Sequence, residues 1–211
     1  MAVLAGRTAS ARWGQHAPSS AWPNAVSAFV WRRLRYNRRS FFDPEPMPFI
    51  RFISRLLARI LFRLRIHGDD VLDTPGPVLL IPNHVSWFDW WLIGLCVGED
   101  WRFVTSSTRA DSHWMFRFVM ANRYTFPVDH ASPFAVKEMA TFLQGGGRLI
   151  LFAEGRISET GCLMKLFEGT GFLLHKTGAK VITCHLRNAN RLPWSRQPGW
   201  KQWFPKLSIH F

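Results

Sequence analysis

The chain is poor in cysteine, has almost no acid in its first third, and lacks any long apolar run. Its three cysteines, Cys96, Cys162 and Cys184, form no CxxC pair, which excludes a disulfide framework and a cysteine-rich zinc site. No apolar stretch approaches the roughly 18–20 residues that span a bilayer. The longest clear one is Trp90–Gly98, so attachment to a membrane would be peripheral. No fixed period supports a repeat, collagen-like or coiled-coil architecture. No serine or cysteine stands in a GxSxG elbow, which leaves the chain without a recognisable covalent nucleophile. What is present is a core: 47% of the 211 residues are hydrophobic and 15% aromatic, enough for one folded domain and too much for a disordered tail.

The shortage of acid is local. The whole chain carries +13, and residues 1–68 account for +10 of it, with twelve Arg, no Lys and only Asp43 and Glu45. A strongly basic segment attracts polyanions, either nucleic acid or an anionic membrane. Residues 47–66, MPFIRFISRLLARILFRLRI, favour the membrane. Arg51, Arg55, Arg59 and Arg63 recur every four residues as one helical stripe, and Ile, Leu and Phe fill the rest. Like charges at that spacing repel in water and are stabilised at an anionic lipid surface. The pattern predicts an amphipathic helix over 47–68 lying in the membrane interface. The same pattern also fits a helix packed on its own domain with Arg facing solvent. No nucleic-acid motif accompanies the charge, and nucleic acid is not expected as a partner. Residues 1–46, rich in Ala, Ser and Arg, match a transit peptide or an unstructured leader and are read as a mobile basic leader.

From residue 69 strands and helices alternate. Pro77–Pro82, Trp101–Ser106, Thr125–Val128, Arg148–Phe152, Val181–Leu186 and Leu207–Phe211 read as strands. Ser86–Val97, Ser112–Asn122, Pro133–Gln144 and Phe167–Thr177 read as helices, the third opened by Pro133 and followed by Gly145–Gly147. The expected fold is α/β, a mixed central sheet flanked by helices, over 69–211. The last strand reaches the final residue, which leaves open whether the natural chain continues beyond Phe211.

In such sheets chemistry collects beyond the carboxyl ends of strands. Two segments stand there: Asn83–Asp89 after PVLLIP, and Ala153–Ser158 after RLILF. His84 and Asp89 are five apart and would point about 140° apart on one helix. They meet only if His84 precedes the helix and Asp89 lies in its first turn, with Ser86 as N-cap. An imidazole held by a carboxylate is a general base. The residues also suit a simple turn, with Asp89 capping the helix. Gly155 permits a tight turn, and Arg156 offers a planar fork to an anion.

Together these segments resemble the glycerolipid acyltransferases. Asn83, His84 and Asp89 match the family's Asn-His-x4-Asp block; Phe152, Glu154, Gly155, Arg156 and Ser158 match its Phe-Pro-Glu-Gly block. The stretch 152–182 is especially similar to the acyltransferase half of the bifunctional 2-acylglycerophosphoethanolamine acyltransferase/acyl-carrier-protein synthetase, including the run Thr160, Gly161, Leu163, Met164, Lys165. The resemblance implies direct transfer of a fatty acyl group from acyl-CoA or acyl-carrier protein to the free hydroxyl of a lysophospholipid, 1-acylglycerol-3-phosphate or lysophosphatidylethanolamine, in phospholipid synthesis or remodelling. His84 would be the base and Asp89 its orienting partner. Asn83, Glu154, Gly155 and Arg156 would bind substrate, with no metal and no cofactor beyond the acyl donor. The expected location is the membrane surface, the cytoplasmic face of the inner membrane in a bacterium. Ala153 replaces the family's Pro, and Thr183 replaces another in the fourth block. Asp129-His130 stands where Asp-Arg is usual, with Arg123 or His130 as substitutes. These departures motivate an alternative, an inactive lipid-binding relative.

Overall fold

The computed structural model describes residues 48–106, 125–128, 134–162 and 164–211. The basic leader 1–46, the helix expected over 112–122, and Arg123, Asp129, His130 and Leu163 lie outside the described residues. Helix α1 (Pro48–Leu61) leads into strand β1 (Arg65–His67) and a 3-10 turn at Asp69–Asp73. Strand β2 (Val78–Pro82), helix α2 (Asp89–Gly94), and strands β3 (Trp101–Ser106) and β4 (Thr125–Val128) follow. Then come helix α3 (Ala135–Gln144), strand β5 (Arg148–Ile150), helix α4 (Glu168–Thr177), strand β6 (Lys180–Arg187), a 3-10 turn at Ala189–Arg191 and strand β7 (Ser208–His210).

Among the described residues the strands form one sheet in the order β1-β7-β6-β2-β5-β3-β4. Only β6 and β7 run antiparallel, which makes the sheet mixed as the alternation predicted. β2 is central and buried on both faces, which is why it reads as an unbroken apolar run. Val78 and Leu80 join Leu92, Ile93 and Trp101 on the α2 side. Leu79 joins Met139, Leu143 and Leu173 of α3 and α4 on the other. β2 pairs in parallel with β5 (Leu80 with Ile150) and with β6 (Pro82 with Cys184), so the segments following β2 and β5 leave the same edge of the sheet side by side.

Two expectations meet a different structure. The helix predicted over 47–68 ends at Leu61, and Arg63 turns the chain with φ 45. Arg65–His67 pairs with Ser208–His210, anchored by the Arg65 N–H on Leu207 O at 3.1 Å. A partner some 140 positions away overrides local helical spacing, and nothing near Leu61 announces the stop. The helix expected over Ser86–Val97 shrinks to Asp89–Gly94 because the preceding residues form a tight turn around a carboxylate.

α1 also reverses one reading of its stripe. Fully buried Ala58 faces the domain, and the Arg51 and Arg55 side chains donate to the Val97 and Leu95 carbonyls at the end of α2. Cations are favoured at a helix C-terminus, where carbonyls lack partners. The opposite face, with Phe52, Leu56, Leu57, Ile60 and Leu61, is exposed. Two of the arginines thus fasten the helix to its own domain while its apolar residues look outward.

Candidate active site

β2 delivers Asn83 to its carboxyl end. The Asn83 side chain replaces a rung of the sheet: its Oδ1 accepts from Leu186 N–H at 2.7 Å, and its Nδ2 donates to Leu186 O at 3.3 Å. Both ends of the amide are therefore engaged by β6, and Asn83 fixes where the chain leaves the sheet. The role expected for it at the sequence level, contact with substrate, meets a side chain already occupied by backbone.

The next six residues wrap around one carboxylate. Asp89 is fully buried, and its Oδ2 accepts from Val85 N–H at 2.6 Å and Ser86 N–H at 2.8 Å. His84 Nδ1 lies 2.9 Å from the same oxygen. The geometry that the five-residue spacing demanded is present: His84 precedes the helix and Asp89 opens it. Ser86 is a turn residue instead of the helix N-cap, its hydroxyl accepting from Phe88 N–H at 3.2 Å. With Nδ1 committed to Asp89, Nε2 is the nitrogen left for chemistry, on a side chain 18% exposed. Burial raises the Asp89 carboxyl above its ordinary value, and the His84 and backbone hydrogen bonds pull against that rise. Asp89 Oδ1 has no partner among the described residues, so nothing there offsets the burial.

The second segment closes against the first. The Phe152 ring stacks on the His84 imidazole, centroids 4.2 Å apart. Ser158 N–H donates to His84 O at 2.7 Å. The turn Glu154-Gly155-Arg156 between these contacts is thereby held beside His84. Glu154 is buried, and its Oε2 accepts from Met164 N–H at 3.3 Å, which folds the following loop back over the turn. Gly155 has φ +67, and a Cβ there would lie 2.3 Å from the Phe167 ring, so both backbone shape and space require glycine. Arg156 is exposed at the tip of the turn, free to reach an anion. Buried Ser158 holds the loop, donating to Cys162 O at 3.1 Å and accepting from Gly161 N–H at 3.0 Å.

Several contributors carried no sequence signal. Trp194, more than a hundred positions downstream, meets Phe88 in a tilted ring contact with centroids 4.2 Å apart, and its carbonyl accepts from Trp87 N–H at 3.3 Å. Only tertiary structure brings it to this turn. Phe152 was legible as part of a motif, but its place under the imidazole was not. Two of the thiols do not supply a nucleophile: burial pushes Cys96 up to about 12 and raises Cys184 further, so both stay protonated at neutral pH.

The arrangement can take a proton at Nε2, stabilise the resulting imidazolium through Asp89, and offer a cation at Arg156. Residues 63–187, which contain all of it, match the model of the family described as Acyltransferase. A curated relative, the lyso-ornithine lipid O-acyltransferase of Brucella abortus (strain 2308), is 32% identical over 112 residues, 51% of this chain and 40% of that protein. The chain therefore spans less than half the length of the curated relative it matches. Among solved structures, the 1-acyl-sn-glycerophosphate acyltransferase PlsC from Thermotoga maritima covers 88% of this chain and 76% of its own, with TM-score 0.53 and 18% identity. That is a likeness of fold.

Proposed function

Because the chain belongs to the Acyltransferase family, we propose that it moves a fatty acyl group from a thioester, acyl-CoA or acyl-carrier protein, to the free hydroxyl of a lysolipid. The observation that carries this reading is the His84–Asp89 pair at 2.9 Å beside the Glu154–Arg156 turn. His84 Nε2 removes the acceptor's hydroxyl proton while Asp89 holds the tautomer and stabilises the imidazolium. The alkoxide oxygen attacks the thioester carbonyl, the new C–O bond forms, and the C–S bond breaks. The imidazolium then returns its proton to the departing thiolate. Holding both reactants beside one base supplies orientation, and the base itself contributes about 10²–10⁴-fold.

Arg156 pairs with the acceptor's anionic head, and Glu154 shapes the pocket by fixing the loop at Met164. Asn83 acts through the backbone as a positioning residue. Acceptors in scope are 1-acylglycerol-3-phosphate, lysophosphatidylethanolamine and, from the name of the Brucella relative, a lyso-ornithine lipid. All of them reside in membranes, and α1 supplies the means of reaching them. Its outward apolar face, with Phe52 and Ile60 each 62% exposed, fits the interface of an anionic leaflet. No helix among the described residues is long and apolar enough to cross a membrane.

The test is product analysis by lipid mass spectrometry, with the three acceptors crossed against oleoyl-CoA and oleoyl-acyl-carrier protein. One donor–acceptor pair is expected to give the acylated lipid. Vesicle binding without product from any pair would instead identify an inactive lipid-binding relative.

A further inference from the structure

We propose that the tryptophan-bearing segment between the 3-10 turn at Ala189–Arg191 and β7 is a second membrane anchor, which fits the interface of an anionic bilayer. The segment presents Trp200 at 84% exposure, with Trp203, Phe204 and Trp194 also exposed. Large aromatic rings rarely stand in water without a partner, and indole is favoured at the boundary between headgroups and acyl chains. The segment is nonetheless built and fixed. Gln202 N–H donates to Arg191 O at 2.8 Å, and Lys201 Nζ donates to Asn190 O at 2.9 Å and Gln197 O at 2.5 Å. Asn188 Nδ2 donates to Lys206 O at 2.8 Å, and Leu192 and Pro205 are buried beneath. The rings are thus held outward by a scaffold that binding need not order.

Two observations choose the bilayer as occupant. Residues 187–206 carry five cations and no acid; Arg196 reaches Glu159 at 3.6 Å and Lys201 is held by backbone carbonyls, which leaves exposed Arg187, Arg191 and Lys206 to face anionic headgroups. The segment also packs against the end of α1 through half-buried rings. Phe204 meets Phe62, the residue after α1, at 5.7 Å, and Phe62 meets Trp91 of α2 at 6.2 Å. Trp203 meets Trp194 at 5.8 Å, and Trp194 in turn covers Phe88 in the active-site turn. A chain of rings therefore links the end of α1, the tryptophan segment and the residue preceding Asp89. Contact at both places fixes the tilt of the domain on the bilayer. This inference rests on the membrane docking proposed for α1 but not on turnover.

The experiment uses the full chain, Trp200→Ala and Trp200→Ala/Trp203→Ala, with vesicles of phosphatidylethanolamine and phosphatidylglycerol. Co-sedimentation is expected to show roughly a tenfold loss of affinity for the single variant and more for the double, with circular dichroism and Tm unchanged. Lipids brominated along the acyl chain should quench less fluorescence in the variants. Because neither readout requires product, failure of the transfer reading leaves this test intact. Unchanged vesicle affinity in both variants would overturn the proposal. So would intact vesicle binding with lost affinity for acyl-carrier protein or a lost dimer, which would assign the surface to a protein partner.

Discussion

At the residue scale, the decisive feature is one carboxylate oxygen shared by three donors. Asp89 Oδ2 collects His84 Nδ1 and two backbone N–H groups while burial opposes its charge. A buried carboxyl with a raised pKa contributes its full stability below the ordinary carboxylate value and loses it as pH rises through the raised one. Asp89→Asn keeps an acceptor for the three donors and removes the charge. Its Tm is therefore expected to exceed that of the native protein at neutral pH, and the gap should close as pH falls through the carboxylate range. Turnover should fall, because the imidazolium loses its counter-charge; stability gained where activity is lost is the usual trade at such sites. Thermal melts from pH 4 to 8 check this, and a variant less stable at neutral pH would show that the ionised carboxylate supports the fold. The His84–Asp89 contact was legible in the sequence as one of two readings, because the five-residue spacing lets the side chains meet only if His84 precedes the helix. Asn83 was legible as a motif member but not in its role, since its partner, Leu186, lies on a strand 103 positions away.

At the element scale, the link between β2 and β6 is where fold and site meet. Asn83→Ala would remove both bonds to Leu186 and leave a part-buried backbone N–H without its acceptor, a loss of about 1–3 kcal/mol. If Asn83 positions His84 instead of binding substrate, kcat should fall while KM for the acceptor changes little, and kinetics across acceptor concentration separates the two. α1 shows the limit of periodicity. Arg51, Arg55 and Arg59 fall on the helix their spacing predicts, but Arg63 lies beyond its end at Leu61, and neither that end nor the helix's orientation is local information. Both follow from tertiary partners: β7 captures Arg65–His67, and the Leu95 and Val97 carbonyls capture two arginines. Ile60→Glu is expected to leave Tm unchanged, because the side chain is exposed, and to weaken binding to anionic vesicles several-fold. Unchanged vesicle binding would remove α1 from the docking surface.

For the whole molecule, the buried parallel strands were the most legible part. β2 and the Leu149–Ile150 end of β5 are short buried apolar runs, while β6 alternates buried and exposed residues along its length. Their order in the sheet was not legible, and that order makes the site by placing the ends of β2 and β5 side by side. Charge acquires a similar reading at this scale. The body beyond residue 68 is close to neutral, yet its last third gathers cations and tryptophans into one segment that net charge alone would hide. Among the exposed apolar residues of the described surface, two groups stand out, one on α1 and one before β7, and Phe204 of the second meets Phe62 just after α1.

The central claim is that His84 is the base of a direct acyl transfer. The most direct measurement is the rate of lipid acylation by His84→Ala beside the native protein, on the donor–acceptor pair the native protein uses, with vesicle binding followed in parallel. The account predicts a loss of about 10²–10⁴-fold in rate with vesicle affinity retained. Full activity in His84→Ala would contradict it.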